Sequence, residues 1–287
     1  MTTGTVTAPA GFPVSKQDQT LKQADAHRQA GFFQLYGLPI AVMTYDQVLS
    51  YLSQAIETRK KTFCVTLNLD ILRLACQRRD VYRIIQSSDF IFADGMPLVW
   101  LSKLMKRPLP QRVPGCDMVH DLCRVSAKQG HKIFFLGAAP GVADKAKAKL
   151  EKELPGIQIV GTHAPEKEDL AHFGTNQLIV DMINASGADV VFVALGAPKQ
   201  EQWIFQNYHA LQATLMVPCG ASIDFIAGEQ AKAPQWIGNI GLEWLYRLFA
   251  NPTRLFKRYI IDDLPFLGMT LIRSVFNRAQ QVPSFQG

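Results

Sequence analysis

Apolar residues in this chain fall into short unbroken runs, separated by longer stretches in which they recur every three or four positions. The runs are Thr62-Phe63-Cys64-Val65-Thr66-Leu67, Asp89-Phe90-Ile91-Phe92-Ala93, Lys132-Ile133-Phe134-Phe135-Leu136-Gly137, Ile157 to Gly161, Asp189 to Gly196, and Leu215 to Ala221. Runs so short and continuous read as strands buried on both faces. Between them, Val48, Leu49, Leu52 and Ile56, then Ile71, Leu72 and Ala75, then Met118, Leu122 and Val125, then Leu178, Ile179, Met182 and Ile183 keep helical spacing. Thr44 is placed to cap the first of these helices, and Pro97 suits the first turn of another. Repeated strand–helix units predict an α/β, Rossmann-like, mainly parallel sheet with helices on both faces. Arg73, Arg78 and Arg79 fall on the wetter side of their helical run and are expected to be a solvated face. The same reading applies to Lys145, Lys149 and Lys152.

The pattern breaks at both ends. Residues 1–31 are rich in Thr, Ala, Gln, Lys and Pro and lack an apolar core of signal-peptide length, so a poorly ordered N-terminal tail is expected. From about Ala231 the chain turns apolar almost all round, through Trp236, Leu242, Trp244, Leu245, Leu248 and Phe249. Beyond Pro252, helical spacing sets Leu255, Phe256, Tyr259 and Ile260 opposite Arg254, Lys257 and Arg258, and Leu264, Leu267, Leu271 and Val275 extend the stripe. An apolar face opposed by basic residues is what an interfacial helix offers to anionic lipid headgroups. A hairpin packed on the core, or a dimer partner, would use the same pattern, and the arginines could also reach a diphosphate. The expected organisation is a tail over 1–31, a Rossmann-like domain over 32–230, and a helical membrane-association appendage over 231–287. No run approaches the roughly 18 to 20 apolar residues that span a bilayer.

Composition adds modest constraints. With 287 residues, 48% apolar and 19% charged, the chain can bury one large core. A formal charge of +6 points toward anionic company, though a basic soluble enzyme would show the same. Five cysteines without a close pair fit reduced thiols in the cytoplasm, and the six scattered histidines give no metal-ligand spacing.

Candidate chemistry gathers at the strand tips, because ligands of open parallel sheets bind outside the carboxyl ends of the strands. Those tips carry Thr66, Asn68 and Asp94, with Asp94 at a strand-to-helix junction as the expected reaction centre. The Pro-rich loop from Arg107 to Gly115 offers Arg112. Gly137 opens a turn into a helix that could hold a diphosphate or be merely structural, since it is not G-x-G-x-x-G. Gly196, Pro198, Lys199 and Gln200 form a turn feeding a helix, with polar groups suited to sugar hydroxyls. Glu201 beside them is as well explained by the helix dipole. Gly220 ends the last strand.

Several of these segments together resemble the WecG/TagA/CpsF glycosyltransferases, glycosyltransferase family 26. They are Thr66-Leu67-Asn68-Leu69-Asp70, Ala93-Asp94-Gly95-Met96-Pro97, Arg112-Val113-Pro114-Gly115-Cys116-Asp117, Phe135-Leu136-Gly137, Gly196 to Glu201 and Gly220-Ala221-Ser222-Ile223-Asp224-Phe225. Ala233-Pro234, Gly241-Leu242-Glu243-Trp244, Arg247-Leu248 and Pro252 with Arg254 follow in order, so the resemblance runs from about Leu35 to Ile261. It implies an inverting transferase moving a sugar from a UDP-sugar donor to a polyprenyl-diphosphate-linked saccharide. It implies neither metal nor organic cofactor, and attachment to the anionic inner face of the cytoplasmic membrane. By motif, Asp94 would be the base, Thr66 and Asn68 would hold sugars, Arg112 would assist at the leaving diphosphate and Gln200 would contact the donor. Arg247, Arg254 and Arg258 would supply further positive charge, and Asp262-Asp263 is not expected to hold a metal. A homo-oligomer is left open.

Two rival classes are weaker. A nicotinamide-dependent oxidoreductase suits the fold class, but the first strand is not followed by its glycine fingerprint. A nucleic-acid-binding module suits the charge, but no reader motif is present, so no nucleic-acid partner is expected.

Overall fold

The computed structural model describes residues 31–287 except 167, 168, 171, 240, 277, 284, 286 and 287; the side chains of 173, 235, 239, 254 and 278 are also outside the description. The expected N-terminal tail therefore lies outside the described residues apart from its last position. Eight strands form one sheet in the order β1-β2-β4-β3-β8-β7-β5-β6. They are β1 (Phe32–Leu35), β2 (Leu38–Ala41), β3 (Thr62–Leu67), β4 (Phe90–Ala93), β5 (Lys132–Gly137), β6 (Gln158–His163), β7 (Val190–Ala194) and β8 (Leu215–Pro218). Every pairing is parallel except the edge hairpin of β1 and β2. The sequence pattern shows Phe32 to Met43 only as an extended stretch. Its division into two strands follows from Tyr36 and Gly37, whose positive φ angles of 50° and 75° turn the chain back.

All six positions of β3, all five of β7 and all four of β8 are buried, as expected for strands covered on two faces. One apolar cluster, with Leu72, Ile85, Leu101 and Trp203, covers one face, and another, with Leu52, Leu122, Phe135 and Leu150, covers the other. Thr44 caps the helix Tyr45–Glu57 in a reciprocal arrangement with Gln47. Gly137, at the end of β5, pairs with Ala194 of β7. Its φ is 101°, and a Cβ there would lie 2.5 Å from the carbonyl oxygen of Ala194, so this glycine is required by backbone packing.

The C-terminal region folds as helices Glu243–Ala250 and Pro252–Phe256, a π-helical stretch Lys257–Asp263, and a helix Leu264–Val275. Among its ties to the sheet domain are two sets of contacts. Arg73 donates to Asp70 at 2.6 Å and to Asp263 at 2.9 Å, and Arg258 reaches Asp70 at 2.8 Å. Farther on, Thr270 meets the hydroxyl of Tyr36 at 3.0 Å, and Ala279 accepts the Tyr36 N–H.

Two expectations are corrected by these contacts. Arg73 is buried, because a carboxylate on each side compensates its desolvation, whereas Arg78 and Arg79 are exposed as expected. The division of apolar and basic residues after Pro252 is also different. Leu255 is buried and Phe256 exposed, while Arg258 turns inward to Asp70. The wider winding from Lys257 to Asp263 shifts which positions face the core there, so α-helical periodicity misplaces Arg258. Among the described residues no helix is long and apolar enough to cross a membrane.

Candidate active site

The strand order sets the tips of β4, β3, β8, β7 and β5 side by side, bringing Asp94, Thr66 with Asn68, Gly220, Gly196 and Gly137 to one carboxyl edge. β3 lies between β4 and β8, and ligands of open parallel sheets bind outside the carboxyl ends of such strands.

Asp94 directly follows β4, and its N–H is donated to the Leu67 carbonyl at 2.8 Å, which fixes it beside the tip of β3. Its Oδ2 accepts the N–H of Gly115 at 3.4 Å, from the first turn of the helix Gly115–Gln129. A Cβ on Gly115 would come within 2.9 Å of Thr66 Oγ1 and 3.6 Å of Asp94 Oδ2, so Thr66, Asp94 and Gly115 close on one small space. Asp94 retains some exposed surface but is enclosed by protein. Burial pushes its carboxyl up to about 7, with Glu243 adding to the rise and Arg247, the Gly115 N–H and Arg112 opposing it. Such a carboxylate can exchange a proton near neutral pH.

Arg112 comes from the Pro-rich loop and lies against the backbone of Gly238, leaving no space there for a side chain. Its Nη1 donates to Glu243 Oε2 at 2.9 Å. Arg247, one turn after Glu243, sits 3.4 Å from Glu243 Oε1 and lies over the ring of Phe225 at 4.9 Å. Two guanidinium groups thus face the Asp94 centre, one from the sheet domain and one from the C-terminal helices. Glu243 and Gly115 both stand in segments that carry the family resemblance, which by itself implies no role for either. Pairing between residues so far apart in the chain leaves no local spacing signal.

The other candidates divide. Asn68 is at the β3 tip, where its Oδ1 accepts the Ile71 N–H and caps the helix Leu69–Gln77, leaving its amide group for other contacts. Gln200 is buried, donating to Glu201 Oε1 at 2.9 Å and accepting the Gly220 N–H at 3.0 Å. It braces the Gly220 turn from beneath. Glu201 is fully buried, its Oε2 has no partner among the described residues, and burial pushes its carboxyl up to about 7. Complementing a helix dipole does not account for that placement. Pro198 and exposed Lys199 enter the helix Lys199–Asn207, and Gly196 stands open at its turn. Arg258 is engaged with Asp70, and the Arg254 side chain lies outside the description. Asp263 pairs with Arg73. Among the described residues no three His, Cys, Asp or Glu side chains gather as a metal-holding group.

The fold is Rossmann-like, and its carboxyl edge carries a buried carboxylate and two guanidinium groups. The chain belongs to the glycosyl transferase WecG/TagA/CpsF family, whose model matches residues 33–281, and it is a glycosyltransferase of polysaccharide biosynthesis. It is 30% identical over 250 residues to an N-acetylglucosaminyldiphosphoundecaprenol N-acetyl-beta-D-mannosaminyltransferase of Bacillus subtilis (strain 168), covering 87% of this chain and 94% of that one. A protein of the same name from Bacillus spizizenii is 34% identical over 69% of this chain and 75% of its own. Another from Staphylococcus aureus (strain NCTC 8325 / PS 47) is 29% identical over 70% and 77%.

Proposed function

We propose that this glycosyltransferase moves a hexosyl or N-acetylhexosaminyl group from a UDP-sugar to a saccharide carried on a polyprenyl diphosphate, with inversion at the anomeric carbon. The observation that carries this reading is Asp94, held at the sheet edge with its carboxyl raised to about 7 and two guanidinium groups nearby. Asp94 takes the proton of the acceptor hydroxyl as its oxygen forms a bond to the anomeric carbon. The bond from that carbon to the donor phosphate breaks on the opposite side, and UDP leaves with the electron pair. Arg112 and Arg247 meet the negative charge that grows on it, in place of a metal ion. Thr66 and Asn68 orient sugar hydroxyls at the β3 tip. The relatives are named for a β-linked N-acetylmannosaminyl product on an N-acetylglucosaminyl lipid, which favours that donor and acceptor class.

Access to a lipid-linked acceptor is supplied by an apolar surface on the C-terminal helices. Phe249, Phe256, Ile261, Ile272, Val275 and Phe276 are all more than half exposed. These side chains rest on the inner face of the cytoplasmic membrane, with Lys257 and Arg273 supplying positive charge toward anionic headgroups. The test is a panel of UDP-sugars offered with a short-chain polyprenyl-diphosphate saccharide, for wild type and Asp94→Asn. Transfer by wild type alone supports the reading, and near-normal turnover by Asp94→Asn removes it. Flotation on anionic vesicles tests the membrane surface. Phe249→Asp with Ile272→Asp should leave the protein at the bottom of the gradient, and undiminished flotation would remove that part.

A further inference from the structure

We infer that Glu243 is a positioning residue for the transfer reaction, bridging Arg112 and Arg247 beside Asp94. This rests on the reading of Asp94 as the base.

The geometry divides the two carboxylate oxygens of Glu243 between the two guanidinium groups. Oε2 takes Arg112 Nη1 at 2.9 Å and Oε1 takes Arg247 Nε at 3.4 Å. Arg112 is nearly buried and Glu243 about one quarter exposed, so the bridge is only partly screened by water. Arg112 belongs to the loop after the helix Met96–Leu104, and Arg247 to a helix from a different part of the chain. Arg247 is held by Glu243 within its own helix, whereas Arg112 is held across the chain, so Glu243 ties the loop to that helix. The guanidinium of Arg112 also fills the space a side chain on Gly238 would need, so a side chain there would displace it from the bridge.

The bridge also sets charge. The groups facing this cluster are Asp94 after β4, Arg112, Cys116 and Asp117 at the start of the helix Gly115–Gln129, Lys232 paired with Asp117, Arg247, and Tyr259 in the π-helical stretch. With Glu243 ionised, one of the two arginine charges is balanced and Asp94 keeps enough proton affinity to act as a base. With a neutral residue in its place, two uncompensated cations would face Asp94, making it a weaker acceptor of a proton. Glu243 raises the Asp94 carboxyl, the second cause after burial.

The experiment is the pH dependence of kcat/KM and of kcat for full-length wild type, Glu243→Gln, Glu243→Asp and Asp94→Asn. Glu243→Gln keeps the shape and one acceptor, so it is expected to fold with a melting temperature near wild type. Its acidic limb should move to lower pH, by roughly half a unit or more, with kcat on the plateau falling about tenfold. Glu243→Asp, which keeps the charge on a shorter arm, should leave the limb near its wild-type position while lowering kcat. A merely structural role would move melting temperature and leave the limb where it was. An unmoved limb in Glu243→Gln, with Asp94→Asn inactive, overturns the role of Glu243 and leaves Asp94 as the base. Near-normal transfer by Asp94→Asn overturns the base itself and this inference with it.

Discussion

Gly115 donates its backbone N–H to Asp94 Oδ2 at 3.4 Å while leaving no space for a side chain against Thr66. Gly115→Ala sets a Cβ about where Thr66 Oγ1 needs room, and Thr66 sits in a fully buried strand that cannot give way. The start of the helix must shift, and the contact to Asp94 with it. The expected outcome is a fall in kcat of tenfold or more, with a loss of stability of about 1 kcal/mol. Losing the donor raises the Asp94 carboxyl further, so the acidic limb of kcat/KM should move to higher pH, opposite to Glu243→Gln. An unchanged limb would show that this N–H does not act on Asp94.

The same carboxyl links activity and stability to pH with opposite signs. Asp94 must be ionised to act as a base, so kcat/KM of wild type should rise through about pH 7 and level off above it. In the unfolded chain the group ionises near its ordinary 3.8, and in the folded chain only near 7. Between those values the folded state holds the proton and the unfolded state does not, so stability falls as pH rises across the window and stays lowered above it. Asp94→Asn removes this penalty. At pH 8 it should be inactive and more stable than wild type by roughly 1 to 3 kcal/mol, a figure reduced for the group's partial exposure. The two should converge below pH 4. Denaturant titrations at both pH values check this, and an Asn variant no more stable at pH 8 would refute it.

The row Asp263, Arg73, Asp70 and Arg258 is the charged seam between the sheet domain and the C-terminal helices. Replacing a buried pair by apolar residues is often neutral, but removing one member leaves an uncompensated charge. Arg73→Ala leaves Asp70 and Asp263 without their shared cation. A loss of about 3 kcal/mol is expected, with faster amide exchange from Lys257 to Asp263 and reduced transfer. In a double-mutant cycle with Asp263→Ala the two losses should be far from additive. Additive losses would mean that the seam does not hold the helices.

Much of the fold is legible in the sequence because fully buried parallel strands are continuous apolar runs, as in β3, β5 and β7. The tips of those runs already mark Thr66, Asn68, Asp94 and Gly220. What periodicity cannot supply is the partner of a charge far away in the chain. Arg73 reads as solvated until Asp263 is seen beside it, and Arg258 reads as part of a basic stripe until Asp70 is. Glu243 stands in a quoted segment, yet its two arginines come from a distant loop and its own helix. Facing also fails where winding changes, as at Arg258, which stands in the π-helical stretch and turns to Asp70.

Gln200 gives the last prediction, since both ends of its amide are committed within the protein. Its Oε1 holds the Gly220 N–H and its Nε2 donates to Glu201, which is fully buried beneath the turn. An effect of Gln200 on the donor would then be transmitted through the shape of the Gly220 turn. Gln200→Ala should speed exchange of the Gly220 amide and shrink the thermal stabilisation produced by UDP, both by severalfold. If UDP stabilisation falls while the Gly220 amide stays protected, Gln200 touches the donor directly and the bracing role is wrong. Glu201→Gln gives a companion test with a definite sign. Removing a carboxyl that ionises near 7 in the folded chain and near 4.5 in the unfolded one should raise stability at pH 8, and the gain should fade toward pH 4.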